Sequence, residues 1–126
     1  MLRAPQTVLP REIITGPKVC AAFETHAAKG RLAVNVSSAT GSLEYKPVLQ
    51  GFDPAANEWF DLWTAASWES VSGDFVFYDM FMLFPPSNFV KMYLQRRHRV
   101  RFTTQGSGTL TLAAFWSDII STRQTA

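Results

Sequence analysis

The densest chemistry in the sequence is basic. Half of the chain's arginines fall within Arg96-Arg97-His98-Arg99-Val100-Arg101. A guanidinium is a planar, permanently charged fork that grips a carboxylate or a phosphate through paired N–H groups. If this stretch is a strand, Arg97, Arg99 and Arg101 share one face as a stripe about 13 Å long at ~3.3 Å per residue. Such a stripe serves an electrostatic contact, to acidic residues of a partner or to phosphate. It is equally read as a solvated outer face balanced by cross-strand acids such as Asp74, Asp79 or Glu44.

The remaining reactive residue types do not assemble into a catalytic pattern. The two histidines, His26 and His98, have no second ligand at metal-binding spacing, and there is no Cys-x-x-Cys. His98 sits among arginines, which disfavour its charged form, so it reads as a strand residue packing its ring against a neighbouring strand. Asp53, Glu58 and Asp61 fall in one loop-and-strand segment. A glycosidase would need two carboxylates facing each other across a cleft, and nothing marks such a pair. Asp53 before Pro54 is a turn residue bonding nearby backbone, and Asp53 with Asn57 does not make an EF-hand loop. A hydrolase would have to gather Asp53, Asp61, Asp74 and Asp79 into one cleft. The reading is therefore no enzyme, no metal and no cofactor. Trp59, Trp63 and Trp68, beside Phe60, allow a carbohydrate platform, because flat rings stack on sugar faces; the competing reading is packing between sheets.

These residues are carried by a chain that alternates with period two. Leu32, Val34 and Val36 face one way in Arg31 to Ser37. His98, Val100 and Phe102 oppose Arg97, Arg99, Arg101 and Thr103. Leu110, Leu112, Ala114 and Trp116 oppose Thr109, Thr111, Ala113 and Phe115. Each is the pattern of a strand with one buried face. Val19 to Thr25, Leu43 to Phe52, and Glu58 to Ala66 complete the set, the last with Trp59, Asp61 and Trp63 on one face. Pro47 argues for an edge position or a bulge. Ser38 to Gly41 and Ser70 to Asp74 read as turns, and Gln105 to Gly108 as a hairpin loop. Asn88 to Leu94 reads as one short helical turn.

Phe75 to Phe84 is apolar on both faces apart from Asp79. In a two-layer sandwich only one face of a strand meets the core. Phe77 and Phe81 on the other face then need cover from the N-terminal segment, from the Pro85 to Leu94 connection, or from another subunit. Residues 1–17 hold Pro5, Pro10 and Pro17 and read as an extended arm, anchored on its own domain or a neighbour by Ile13 and Ile14.

Seven or eight strands with turn signals every 8–12 residues indicate a single all-β sandwich or jelly roll, with an arm over 1–17, the sandwich over 18–118 and a tail over 119–126. At 126 residues the chain is one domain. Charged residues make up 17%, below the ~25% of an average soluble domain, so neutral surface is left for a partner. The net charge of +2 is too balanced to argue for nucleic acid. No apolar run has the length of a membrane span, and Met1 to Pro10 holds no apolar core of signal-peptide length. Cys20, the single cysteine, lies among Val19, Ala21 and Ala22 as a buried thiol, consistent with folding in a reducing compartment.

Three stretches together resemble the small β-sandwich structural proteins of tailed-bacteriophage virions. They are Arg31-Leu32-Ala33-Val34-Asn35-Val36-Ser37, Val48-Leu49-Gln50-Gly51-Phe52-Asp53-Pro54, and Arg99-Val100-Arg101-Phe102-Thr103-Thr104-Gln105-Gly106-Ser107-Gly108-Thr109. The resemblance spans Arg31 to Trp116. The arm and the insert around Phe84 to Leu94 depart from the simpler members. The resemblance implies a capsid decoration (cement) protein, made in the bacterial host cytoplasm, trimeric, and seated on the major capsid protein at the virion surface. A tail or head-fibre module that binds carbohydrate or another virion protein is the alternative it leaves. It brings no catalytic residue with it.

Overall fold

The structure is a computed structural model and describes residues 5–25, 29–70, 72–81 and 97–119, the side chain of Phe81 excepted. Among the described residues nine strands follow in chain order: β1 (Gln6–Ile14), β2 (Lys18–Val19), β3 (Phe23–Glu24), β4 (Lys29–Gly41), β5 (Glu44–Asp53), β6 (Glu58–Thr64), β7 (Phe75–Phe81), β8 (Arg97–Gln105) and β9 (Gly108–Ile119). They form two antiparallel sheets. One runs β1-β9-β4-β7; the other runs β2-β8-β5-β6, with β3 also paired to β8. The all-β sandwich expected from the alternation is the fold observed. The helical turn expected over Asn88 to Leu94 lies outside the described residues, as do His26 and Arg96.

The inward residues are those the alternation selects. Leu32, Val34, Val100, Phe102, Leu110, Leu112, Ala114 and Trp116 are all sealed from solvent in one core cluster. Trp116 is the largest of them, and its indole lies against Gly30, where a Cβ would come within 1.8 Å of Cζ2. Its indole N–H donates to the Asp118 carboxylate at 2.9 Å, so the ring is buried with its polar atom satisfied. His98 is buried at 2% exposure with its ring centroid 6.1 Å from that of Phe23. It is a core residue, as its place opposite the arginines predicts.

The connection Gln105 to Gly108 is not a hairpin loop. β8 and β9 lie in different sheets, and the chain folds over there from one to the other. So does the connection from β4 to β5, beside it. The pairing Gly41↔Gly108 before the corner continues as Glu44↔Gln105 after it, with the Ser42 N–H donating to the Ser107 carbonyl at 2.7 Å between them. One two-stranded ribbon thus bends across both layers. Ser38 to Gly41, expected as a turn, is the end of β4. A bulge between Val36 and Ser38 resets its register, and Ser38–Thr111 (3.0 Å) and Thr40–Thr109 (2.7 Å) hydroxyl contacts tie it across to β9.

Three further expectations are corrected. The proline-rich segment does not lie outside the sandwich sheets: of its two expected seats, its own domain or a neighbour, Gln6–Ile14 takes the first, pairing with β9 as an edge strand, with a bulge on either side of Leu9 that accommodates Pro10. Pro47 is not at an edge: β5 lies between β8 and β6. A strand residue directs its N–H and C=O to the same side, and the Pro47 carbonyl accepts from the Ala65 N–H at 3.1 Å, beyond the last β5–β6 pair, Val48↔Thr64. Its missing N–H therefore faces the end of a ladder, where no strand bond is lost. The Val19 to Thr25 run is two short strands separated by Cys20 to Ala22, with the Cys20 N–H donating to the Val100 carbonyl at 2.9 Å.

Candidate functional site

Each sheet presents an outer face, and the two differ in chemistry. On the β2-β8-β5-β6 sheet, strand alternation along β8 buries His98, Val100 and Phe102 and sends Arg97, Arg99 and Arg101 outward together. Across the ladder β5 contributes Lys46, Val48, Gln50 and Phe52, through the pairs Lys46↔Thr103, Val48↔Arg101 and Gln50↔Arg99. β6 contributes Trp59 and Asp61, through Phe52↔Trp59 and Gln50↔Asp61.

These residues interlock in one row. The Arg97 guanidinium lies over Phe52 and Trp59, at 5.1 and 5.6 Å from their ring centroids. The Arg99 guanidinium lies over Trp59 at 4.3 Å. Arg99 Nε donates to Gln50 Oε1 at 2.7 Å, and Gln50 Nε2 donates to Asp61 Oδ1 at 2.8 Å. Arg101 reaches the Asp61 carboxylate at 3.3 Å. Burial, and then the charge of Arg101, lower the pKa of Arg99. Glu24 stands opposite Arg97 in the β3–β8 pair, yet the guanidinium leans away from it onto the rings. Among the described residues the ion pairs are Lys18–Glu12, Arg31–Asp79 and Arg101–Asp61, and neither Arg97 nor Arg99 enters one.

Asp61 is the acid that meets the arginine stripe, rather than Asp74, Asp79 or Glu44. Glu44 accepts from Gln105 at 2.8 Å, and Asp79 is on the other sheet, holding Arg31 through Nε at 2.6 Å and Nη2 at 2.9 Å. Asp53 caps its own turn, accepting from the N–H groups of Ala55 (3.0 Å) and Ala56 (3.3 Å). The carboxylates of Asp53, Asp61 and Asp79 thus have separate partners, and those of Asp61 and Asp79 lie on opposite outer faces. Asp74 is exposed in the loop before β7. No group of three or more metal-ligating side chains occurs among the described residues.

The tryptophans do not share a face. In β6 the register shifts between Leu49↔Trp63 and Gln50↔Asp61, leaving Leu62 as an extra residue. That bulge turns Trp63 inward, against the core and edge-on to Tyr78 at 5.5 Å. Trp59 stays outward under the arginines. Trp68 lies outward beneath Lys46, whose ammonium is 4.7 Å from its ring centroid.

The outer face of the β1-β9-β4-β7 sheet carries an aromatic patch beside the Arg31–Asp79 pair. Phe75 and Phe77 of β7 are 47% and 57% exposed, stacked at 5.9 Å with an interplanar angle of 14°. Phe115 of β9 lies 6.3 Å from Phe75, and Arg31 covers one side of Phe77 at 5.1 Å. β1 does not cover them, because it pairs with β9 at the opposite edge. Ile13 and Ile14 alternate: Ile13 is 66% exposed, whereas Ile14 is buried in the core and so unavailable to a partner. The Phe81 side chain lies outside the described residues.

No family model and no curated protein matches the chain. Among solved structures, a chain in the structure of infectious bursal disease virus, Gx strain, is similar at 11% identity with a TM-score of 0.53, over 90% of this chain and 31% of that one. A chain in the structure of the Gt strain of the same virus gives 11% identity and a TM-score of 0.49, over 92% of this chain and 32% of that one. The present chain therefore spans about a third of the length of the chains it matches. At this identity the likeness to the Gx-strain chain is one of fold. Among the described residues no helix is long and apolar enough to cross a membrane.

Proposed function

We propose that this chain is a non-enzymatic structural component of a virion, acting by surface contact in a protein shell. The observation that carries the proposal is the exposed aromatic face formed by Phe75 and Phe77 with Phe115. An outward sheet face normally alternates to polar residues, and a solvent-facing phenylalanine stack is the surface of an interface. The sandwich fold shared with a chain of a virus structure supports the same reading. Within it, the finer role is that of a capsid decoration protein. Copies associate with one another, in a trimer, and with the major capsid protein at the virion surface. Each small contact then adds to shell stability by linkage.

Light scattering coupled to size exclusion tests this directly. The expected result is a mass that rises with concentration to a multiple of 14.1 kDa. Phe75→Ser with Phe77→Ser should return the mass to that of one chain while the melting temperature holds. A strict monomer at every concentration, with no binding to an isolated capsid shell, overturns the proposal. The carbohydrate reading draws no support from the geometry, because Trp63 faces the core while cationic groups lie over Trp59 and Trp68.

A further inference from the structure

We infer that the outer face of the β2-β8-β5-β6 sheet is a binding site for an extended acidic peptide segment, whose carboxylates seat on Arg97 and Arg99 above the Phe52–Trp59 rings. The inference concerns the sheet opposite the phenylalanine face, and it holds whether or not the chain serves in a virion.

The molecule supplies an internal example of what this row accepts. Arg101 is engaged by a carboxylate, Asp61. Among the described residues, the next guanidinium, Arg99, hydrogen-bonds only through its Nε, to a neutral partner, Gln50. Arg97 rests on two rings and enters no ion pair among the described residues. Cation–π contacts hold a guanidinium flat against a ring without using its N–H fork. Long side chains that would otherwise have to be ordered on binding are thereby placed beforehand.

The spacing matches an extended acidic segment. Side chains at alternate positions of a strand repeat every ~6.6 Å, so acids at every second position of a bound segment follow the repeat of Arg97, Arg99 and Arg101. Charge has the right sign: Lys46 and the three arginines outweigh Asp61, Glu24 and Glu44 on this face.

A carboxylate partner is favoured over nucleic acid by what the rings are doing. Single-stranded nucleic acid binds by stacking bases on open aromatic faces. Here guanidinium groups already lie over Phe52 and Trp59. Asp61, two residues from Trp59 on the same face, opposes a continuous phosphate backbone, whereas a peptide can place its carboxylates to either side of it.

The test titrates the full chain with a short oligo-glutamate peptide, and in parallel with oligo-glutamine and oligothymidylate, following the Trp59 indole and the arginine Nε–H signals by NMR. Oligo-glutamate should shift these signals, with affinity falling as salt rises. Oligo-glutamine should not, and oligothymidylate should bind more weakly. Arg97→Gln and Arg99→Gln should each weaken oligo-glutamate binding on the order of tenfold. Asp61→Asn should strengthen it severalfold, because it removes the resident competitor at Arg101; a damaged fold cannot mimic that gain. The inference is overturned if oligo-glutamate leaves the Trp59 and arginine signals unmoved. It is equally overturned if folded Arg97→Gln binds unchanged, if Asp61→Asn brings no gain, or if oligothymidylate binds more tightly.

Discussion

The Cβ that Gly108 lacks would stand 2.1 Å from the carbonyl oxygen of Thr40 on the facing strand. Gly108 has φ 127° and Gly41, its pairing partner, φ 68°, both in the region that side chains avoid. Two strands turn the corner of the sandwich together here, and only glycine lets the backbones approach this closely. Gly108→Ala is expected to cost at least about 2 kcal/mol, because strain and a backbone clash add. Gly16→Ala is the control: a Cβ there meets nothing within 4 Å, and stability should barely change. Urea denaturation of the two variants checks the contrast.

The same corner shows where sequence reasoning stops. Which residues point inward was legible, because alternation is a local property: Leu32, Val34 and Val36, or Leu110, Leu112 and Trp116, declare themselves within one strand. Whether two strands joined by Gly106-Ser107 stay in one sheet or fold into two is decided by pairing with distant strands, and the local signal for both is a glycine-rich turn. The bulge at Leu62 was illegible for a related reason. One inserted residue reverses the facing of everything beyond it, so Trp63 belongs to the core although it sits two residues from the outward Asp61 and four from Trp59. The segment around Pro10 concealed a strand because proline is tolerated at edge bulges. Of the arginine site, the shared face of Arg97, Arg99 and Arg101 was readable in advance. Their ring partners Phe52 and Trp59, and their acid Asp61, required the register of β5 between β8 and β6.

Gly30 and Trp116 form a second close pair. A Cβ on Gly30 would overlap the indole at 1.8 Å, and the ring is fully buried. Gly30→Ala should therefore destabilise by overpacking, by roughly 1–3 kcal/mol, and Trp116→Leu by opening a cavity, by about 3–5 kcal/mol. Because one change vacates the space the other invades, the double variant should be more stable than the sum of the two predicts. Thermal melts of the four proteins in the cycle measure that coupling, and strict additivity would show that the two sites do not meet.

Asp79 should report acid sensitivity at the phenylalanine face. Its hydrogen bond from Arg31 holds the carboxyl below its ordinary value. A depressed carboxyl pKa contributes stability that is present above the unfolded value, near pH 4, and is lost as pH falls through the folded one. The pair is half exposed, so the contribution is small and screened by salt. Carbon-detected NMR titration should place the Asp79 midpoint below those of free aspartates, and Arg31→Gln should restore it to the ordinary range.

Cys20 and Tyr45 make the opposite prediction at high pH. Burial pushes the Cys20 thiol up to about 12, and burial, followed by the neighbouring Tyr78, raises the Tyr45 hydroxyl above its usual range. Both groups are neutral when protonated and sit in the apolar core, so the charged form is what folding excludes. A folded pKa raised above the unfolded one gives stability that is complete below the unfolded value and declines as pH rises toward the folded value. For Cys20 that window opens near pH 9, its ordinary value, and extends to about 12. The thiolate is the nucleophile, so native protein at pH 8 should resist alkylation by iodoacetamide and react at once in denaturant. Rapid labelling of the native chain would mean that Cys20 is reached by solvent and that the β2–β8 edge opens. Labelling at the rate of global unfolding would place Cys20 among the last residues to be released.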